Sequence, residues 1–365
     1  MDKIKVLIVD DSKLVREILV EILSQFPLIT IVGQAEDAFQ AREMIKLHSP
    51  DVLTLDVEMP KMDGITFLRN LMRLRPMPVV MLSTLTTKGA EVTLEALELG
   101  AVDFIAKPKS SDLMGGLTAF NNALFEKIKF ASTVDVSSLG KKAREIKKES
   151  ALSDIDLTHE VIALGASTGG TEALRVVLDA MPADSPPIVI TQHIPQSFSL
   201  RFAKRLNGTS LMTVHEARDG LELMRGHAYV APGNMHLKII ELNGKYYCRI
   251  DDGPLVNRHK PSVDVMFNSL LGLSKVKVFA GLLTGMGSDG AKSLLSLKEH
   301  GHFTLIQDEQ TSMVWGMPGV AQSLNAHCRE EPLPNVARTL LQQVRGQAKR
   351  ASFNSSRIKE NNVSL

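Results

Sequence analysis

Apolar, β-branched runs recur at short intervals through the first third of the chain, at Lys5–Val9, Ile29–Val32, Val52–Leu55, Val79–Leu82 and Asp103–Ala106. Between them the apolar residues switch to helical spacing, as in KLVREILVEILSQF and DAFQAREMIKLH, with Leu14, Ile18 and Ile22 on one stripe. Strands alternating with helices predict a parallel sheet covered on both faces, a doubly wound α/β domain. A last helix, roughly TAFNNALFEKIKFA, closes it. The pattern then breaks. STVDVSSLGKKAREIKKESALSDIDL is charged and serine-rich with few large apolar residues, the composition of a solvated linker.

A second alternation begins at Val161. Its expected strands are Val161–Ala166, Ile188–Thr191, Met212–Glu216, Ala228–Val230, Val276–Leu283 and Phe303–Gln307. HLKIIELNGKYYCRI reads as a hairpin, with Asn243 and Gly244 supplying the positive φ angles of a type I′ turn. Helices are expected at Thr171–Leu178, Phe198–Leu206, Val263–Leu271, Ala291–Glu299 and Val336–Val344. The end, RGQAKRASFNSSRIKENNVSL, lacks apolar content and reads as disordered. The pattern thus gives a first domain at residues 1–125, a linker at 126–157, a second domain at 158–347 and a disordered tail at 348–365.

Composition narrows the setting. A chain of 365 residues is long enough for two separate cores. The formal net charge of +1 gives no global field directed at nucleic acid or a membrane surface. Two cysteines, Cys248 and Cys328, are too few for a disulfide framework and are expected to be free, buried thiols. MDKIKVLIVDDSK turns acidic after a short apolar run, so it reads as neither a signal peptide nor a spanning helix. No other apolar stretch approaches membrane length, so the expected setting is the cytoplasm.

In the first domain, Asp10 and Asp11 end the first strand and Asp56 ends the third. Ligands of doubly wound sheets bind at those strand ends. Three carboxylates there repel one another unless a cation neutralises them, and hard oxygen ligands with room for water suit Mg²⁺. Lys107 follows the fifth strand in DFIAKP, held extended by Pro108, and would reach the same pocket. The plainer alternative is that Asp10 or Asp11 caps the next helix. That alternative leaves Asp56 and Lys107 unexplained.

VLIVDDS, TLDVEMPKMDG, MLST and DFIAKP resemble the motifs of two-component receiver domains over residues 1 to about 125. The resemblance implies a flavodoxin-like fold with Asp56 as phosphoacceptor, and Mg²⁺ held by Asp10 and Asp11 together with Asp56. It places Lys107 on the phosphoryl oxygens, Ser83 as the switch hydroxyl and Phe104 as the switch aromatic. Glu58 stands where many receivers carry a neutral amide.

In the second domain, VIALGASTGG sets an apolar run against a serine flanked by glycines. Gly165, Ser167 and Gly169 fit G-x-S-x-G, the spacing of a nucleophile on a sharp strand-to-helix turn. Gly169 and Gly170 would equally suit a phosphate-cradling loop, and Ser167 or Thr168 could simply cap the helix. A nucleophile needs a base and a group to orient it. Of the ten histidines, His193 directly follows an apolar strand, in PIVITQHIPQ. VFAGLLTGMGSDG supplies a third strand end with Asp289, which could otherwise cap the helix after it. An α/β-hydrolase runs in the order Ser, Asp, His, so the elbow motif does not make this one. A nicotinamide site would want glycine where Ser167 stands.

GASTGG, TQHIP, TGMGSDG, RHKPSVDVMF and VWGMP together resemble the catalytic domain of chemotaxis-type protein-glutamate methylesterases. That family joins a receiver to a Rossmann-like esterase domain. The resemblance implies a triad of Ser167, His193 and Asp289, with the Met286 N–H in the oxyanion hole. It implies hydrolysis of glutamate methyl esters and deamidation of glutamines on chemotaxis receptors. A sensor histidine kinase would be the phosphodonor, Mg²⁺ would serve the receiver only, and the ester chemistry would need no cofactor. Two rivals follow from the same sequence. A DNA-binding response regulator would need a short, basic helix-turn-helix output, which the long, strand-rich second domain does not offer. A phospho-dependent binding module with an inactive site would keep the fold without turnover.

Overall fold

The computed structural model describes residues 3–83, 87–107, 117–134, 136, 148–152, 157 and 159–362. The chain forms two compact units, Met1–Arg144 and Glu145–Leu365.

The first unit runs β1 (Ile4–Val9), α1 (Lys13–Ser24), β2 (Ile29–Ala35), α2 (Ala38–His48), β3 (Val52–Asp56), α3 (Gly64–Leu74), β4 (Val79–Ser83), α4 (Thr87–Glu98), β5 (Asp103–Ala106) and α5 (Leu117–Ala131). The strands form one parallel sheet in the order β2-β1-β3-β4-β5. This is the flavodoxin-like doubly wound order, whose reversal point lies between β1 and β3. Leu7, Val9, Leu53, Leu55, Val79 and Met81 are buried in its core beside α2 and α3. β3 and β4 are buried along their whole length, as a sheet covered on both faces requires.

The second unit runs β6 (Glu160–Ala166), α6 (Gly170–Ala180), β7 (Ile188–Gln192), α7 (Gln196–Thr209), β8 (Thr213–Glu216) and β9 (His227–Val230). The hairpin β10 (His236–Leu242) and β11 (Lys245–Asp251) follows, then α8 (Val263–Leu271), β12 (Lys277–Leu282), α9 (Ala291–Glu299), β13 (Phe303–Gln307), α10 (Met317–Ser323), β14 (Arg329–Glu331) and α11 (Leu333–Asn362). Seven strands form a parallel sheet in the order β14-β13-β12-β6-β7-β9-β8. The chain first winds outward from β6 through β7, then crosses to β12 on the other side. The carboxyl ends of β6, β7 and β12 therefore frame the crevice at the reversal point. The hairpin closes at Asn243 and Gly244, φ 53° and 76°. Its Leu237, Ile239, Tyr246 and Cys248 pack with Phe267 and Leu270 of α8 into the main core.

Four expectations need correction. α5 continues to Ala131, past the boundary drawn at residue 125. Within the predicted linker, the Leu152 N–H donates to Asp184 Oδ2 at 2.7 Å and its carbonyl accepts from Arg225 at 2.6 Å. Leu152 is also buried, so one apolar anchor with polar neighbours fixes this end of the linker to the second unit. Residues 137–147 and Pro108 lie outside the described residues. α11 runs to Asn362, through the segment read as a disordered tail. Its first turns are anchored by buried Val336, Leu340, Leu341 and Val344, and extending a nucleated helix is far easier than starting one. Finally, Cys248 is buried, which pushes its thiol up to about 12, but Cys328 is exposed. It follows the β13–α10 segment on the margin of the sheet rather than a core strand. No helix among the described residues is long and apolar enough to cross a membrane.

Candidate active site

Ser167 stands one residue beyond β6, and glycines shape the turn around it. Gly169 has φ 76°, and a Cβ on Gly170 would lie 2.2 Å from Gln192 Oε1 and 2.6 Å from Ala166 Cβ. The chain can enter α6 this tightly only with glycine at both positions. The N-cap of α6 is Gly169, with no side-chain cap bond, so neither Ser167 nor Thr168 caps the helix.

The parallel register carries His193 to the side of Ser167. β6 and β7 pair through Ala166 and Gln192, and one step on the His193 N–H donates to the Ala166 carbonyl at 3.1 Å. Gln192 Nε2 donates to the Ser167 carbonyl at 2.8 Å and to the His193 carbonyl at 3.2 Å, locking the two backbones together. On the other side, the Ser167 N–H donates to the Thr284 carbonyl at 3.0 Å, joining the serine to the turn beyond β12.

That turn delivers Asp289. Its Oδ2 lies 2.8 Å from His193 Nε2 and also accepts from the Val263 N–H at 2.6 Å. Its Oδ1 accepts from Asn257 Nδ2 at 2.7 Å, Ser262 Oγ at 2.8 Å and the Asp264 N–H at 3.3 Å. The N-cap of α9 is Gly290 without a side-chain bond, so Asp289 does not cap it. The carboxylate instead faces the N-terminus of α8, where free N–H groups and the helix dipole favour an anion. Burial opposes its ionisation. The His193 hydrogen bond and charge, with Asn257 and Ser262, override that and hold the carboxyl well below the usual carboxylate range.

The remaining ring nitrogen, His193 Nδ1, is buried and has no hydrogen-bond partner among the described residues. With Nε2 committed to Asp289, Nδ1 is the ring nitrogen left open to a further partner. His259 stacks on the same ring at a centroid distance of 3.7 Å and an interplanar angle of 10°. The turn carrying Met286 is fixed as well. The Gly285 carbonyl accepts from the N–H groups of Gly316 and Met317 at 3.1 and 2.7 Å, so the trans peptide points the Met286 N–H the opposite way. A Cβ on Gly285 would lie 2.8 Å from Ser167 Cβ, so glycine lets this turn approach the serine.

The first unit brings Asp10, Asp11 and Asp56 together, with one ligand atom of each within 4.8 Å of the others. Lys107 Nζ lies 2.7 Å from Asp10 Oδ2 and 2.8 Å from Asp56 Oδ2. The N-cap of α1 is Ser12, which excludes the capping alternative for Asp10 and Asp11. Burial pushes the Asp56 carboxyl up to about 6; Lys107 opposes this and Asp10 adds to it. Two buried carboxylates, Asp10 and Asp56, converging with the exposed Asp11 beside one ammonium fit a hard divalent cation, whose charge would oppose the upward shift of Asp56. Gly64 is required here: a Cβ would lie 2.0 Å from the Asp56 carbonyl oxygen. The Ser83 hydroxyl is buried at the next strand end, 2.7 Å from Thr93 Oγ1 and 3.3 Å from the Gly89 carbonyl of α4. Phe104 is half-buried against the core, and Glu58 is exposed.

Two family models match the chain, the response regulator receiver domain over residues 6–117 and the CheB methylesterase over residues 162–340. A protein-glutamate methylesterase/protein-glutamine glutaminase of Xanthomonas campestris pv. campestris is 52% identical over 346 residues, covering 93% of this chain and 96% of the relative. The chain belongs to the CheB methylesterase family. A relative from Hydrogenovibrio crunogenus with the same activities in its name is 49% identical over 372 residues, covering 93% of this chain and 99% of its own. The crystal structure of the Thermotoga maritima CheB methylesterase catalytic domain matches at 34% identity with a TM-score of 0.50, over 51% of this chain and all of that one.

Several residues of this family member's site escape a reading of the sequence. Gln192, Asn257, Ser262 and His259 lie next to or inside the motifs TQHIP and RHKPSVDVMF, yet spacing assigns them no role. Asn257 and Ser262 reach Asp289 across 32 and 27 residues of sequence, so only the fold reveals them.

Proposed function

We propose that this chain is a phosphorylation-controlled serine hydrolase that cleaves glutamate methyl esters, and deamidates glutamines, on chemotaxis receptors. The observation that carries the reading is the buried His193–Asp289 hydrogen bond at 2.8 Å, with Ser167 tied beside the histidine. His193 Nδ1 takes the Ser167 proton as Oγ bonds to the γ-carbonyl carbon. Asp289 holds the Nε2–H tautomer and stabilises the imidazolium. The Met286 N–H faces the developing oxyanion. The imidazolium then protonates the departing methoxide, and water, activated by the same nitrogen, frees the glutamate and Ser167. With glutamine the leaving group is ammonia. Nucleophile, base and oxyanion donor are all protein groups, so the ester step calls for no metal.

Control belongs to the first unit. Receiver domains accept a phosphoryl group, and here Asp56 is the acceptor, taking it from a sensor kinase. Asp10, Asp11 and Asp56 would hold Mg²⁺, which would supply charge neutralisation to the phosphoryl oxygens. Lys107, beside Asp56, would meet the same oxygens, while Ser83 and Phe104 would report the new charge to α4 and β5. A fluorophosphonate probe tests the ester chemistry directly. Mass spectrometry should find the adduct on Ser167, and His193→Gln should suppress it. Esterase turnover that persists while Ser167 stays unlabelled and unmodified would refute the assignment.

A further inference from the structure

Between β11 and α8 the backbone makes an uncommon turn. Val256 and His259 exchange two backbone hydrogen bonds, at 3.1 and 2.9 Å. The residues between them, Asn257 and Arg258, have φ of 52° and 68°. A type I′ turn demands positive φ at both central positions, and asparagine followed by glycine meets it best. Arginine therefore stands where glycine fits, a strained placement for a residue with a Cβ. Neighbours impose it. Asn257 Nδ2 donates to Asp264 Oδ2 at 2.6 Å and to Asp289 Oδ1 at 2.7 Å. Lys260 Nζ is tied to Asp252 Oδ1 at 2.6 Å, and His259 lies flat on His193.

Arg258 is thus fixed between the residue that holds Asp289 and the residue stacked on His193. Its side chain is exposed, and among the described residues its guanidinium has no ion pair. The adjacent cation, Lys260, is already neutralised by Asp252. The nearby carboxylates of Asp264 and Asp289 are buried and have donors of their own. An exposed, unneutralised guanidinium on a backbone held between two residues of the site is suited to a carboxylate, since its planar fork matches two carboxylate oxygens. Resting on the function proposed above, we propose that Arg258 is a specificity-determining residue that grips a carboxylate of the substrate protein next to the ester under attack. Each turnover leaves a glutamate carboxylate behind, so a second reactive site nearby would present this anion.

The test uses the full chain with Mg²⁺ and an acyl phosphate. Two receptor fragments carry one glutamate methyl ester each, flanked by glutamates in one and by alanines in the other. Wild type should show a KM about tenfold lower for the acidic fragment, the size of one charge-assisted contact. Arg258→Gly, which suits the backbone, and Arg258→Gln, which keeps the side-chain length, should both lose that preference through KM with kcat unchanged. Arg258→Lys should keep part of it. Retention of the preference by either neutral variant, or a loss that falls on kcat, would overturn the proposal. No turnover by wild type on either fragment would instead sink the functional reading. Direct titration of both fragments against Ser167→Ala, with and without Arg258→Gln, still decides the role of Arg258: an unchanged acidic preference in the double variant excludes it.

Discussion

Asp289 gathers donors from His193, Val263, Asn257, Ser262 and Asp264 around one buried carboxylate. Removing it strands all of them, and a buried donor left without an acceptor typically costs about 1–3 kcal/mol. Asp289→Ala should therefore destabilise the second unit by several kcal/mol in urea unfolding followed by hydrogen exchange of β12 amides. A loss below about 1 kcal/mol would mean that the network adds little. If Ser167, His193 and Asp289 form the proposed triad, Asp289→Asn and His193→Gln should each abolish most turnover, and the double variant should lose no more than the worse single one, because such residues act as a unit. Additive losses would assign one of them a purely structural role. Ser167 and His193 drew notice in the sequence because each directly follows an apolar strand, where a doubly wound sheet collects its ligands, and Asp289 because it ends the glycine-rich turn beyond another. Asn257, Gln192 and His259 were not, because their roles arise from contacts between distant segments and from ring stacking, neither of which leaves a periodic mark.

At the scale of elements, the long alternation of strand and helix was readable because buried strands such as β3 (VLTLD) and β6 (EVIALGA) are predominantly apolar. β14 and α10 were not, since REE and MPGVAQS are too short to show a period. The ends of elements carry the chemistry and respond to small changes. Gly64→Ala would push a Cβ against the Asp56 carbonyl, 2.0 Å away, and should impair phosphorylation by an acyl phosphate while sparing basal ester turnover. Normal phosphorylation kinetics would show that the β3–α3 junction can relax. Asp56 itself makes the receiver pH-sensitive. Its folded-state value of about 6 lies above the unfolded one of about 4, so the stabilisation it gives when protonated is present at low pH and lost as pH rises through 6. In metal-free buffer, Asp56→Asn should therefore gain stability over wild type as pH rises from about 4 to just above 6, reaching about 3 kcal/mol and then levelling off. Hydrogen exchange of β1 and β3 amides measures this, and a pH-independent difference would contradict it.

The whole molecule consists of two units, each with its own sheet and core, so phosphorylation and ester hydrolysis should be separable. If the receiver restrains the esterase, a chain starting near residue 150 should turn over faster than the unphosphorylated full-length protein. Asp56→Asn should stay at the low basal rate whatever phosphodonor is added. A truncated chain no faster than the intact one would show that the receiver activates the site or recruits substrate instead. A restraint of this kind needs only a few kcal/mol of differential stability between states. The most direct measurement is methanol release from methylated receptor membranes, by wild type and Ser167→Ala, each with Mg²⁺ and with or without an acyl phosphate. Wild type should release methanol and accelerate with the phosphodonor, while Ser167→Ala should phosphorylate on Asp56 normally and release almost none. More than a few per cent of wild-type release by Ser167→Ala would contradict the account.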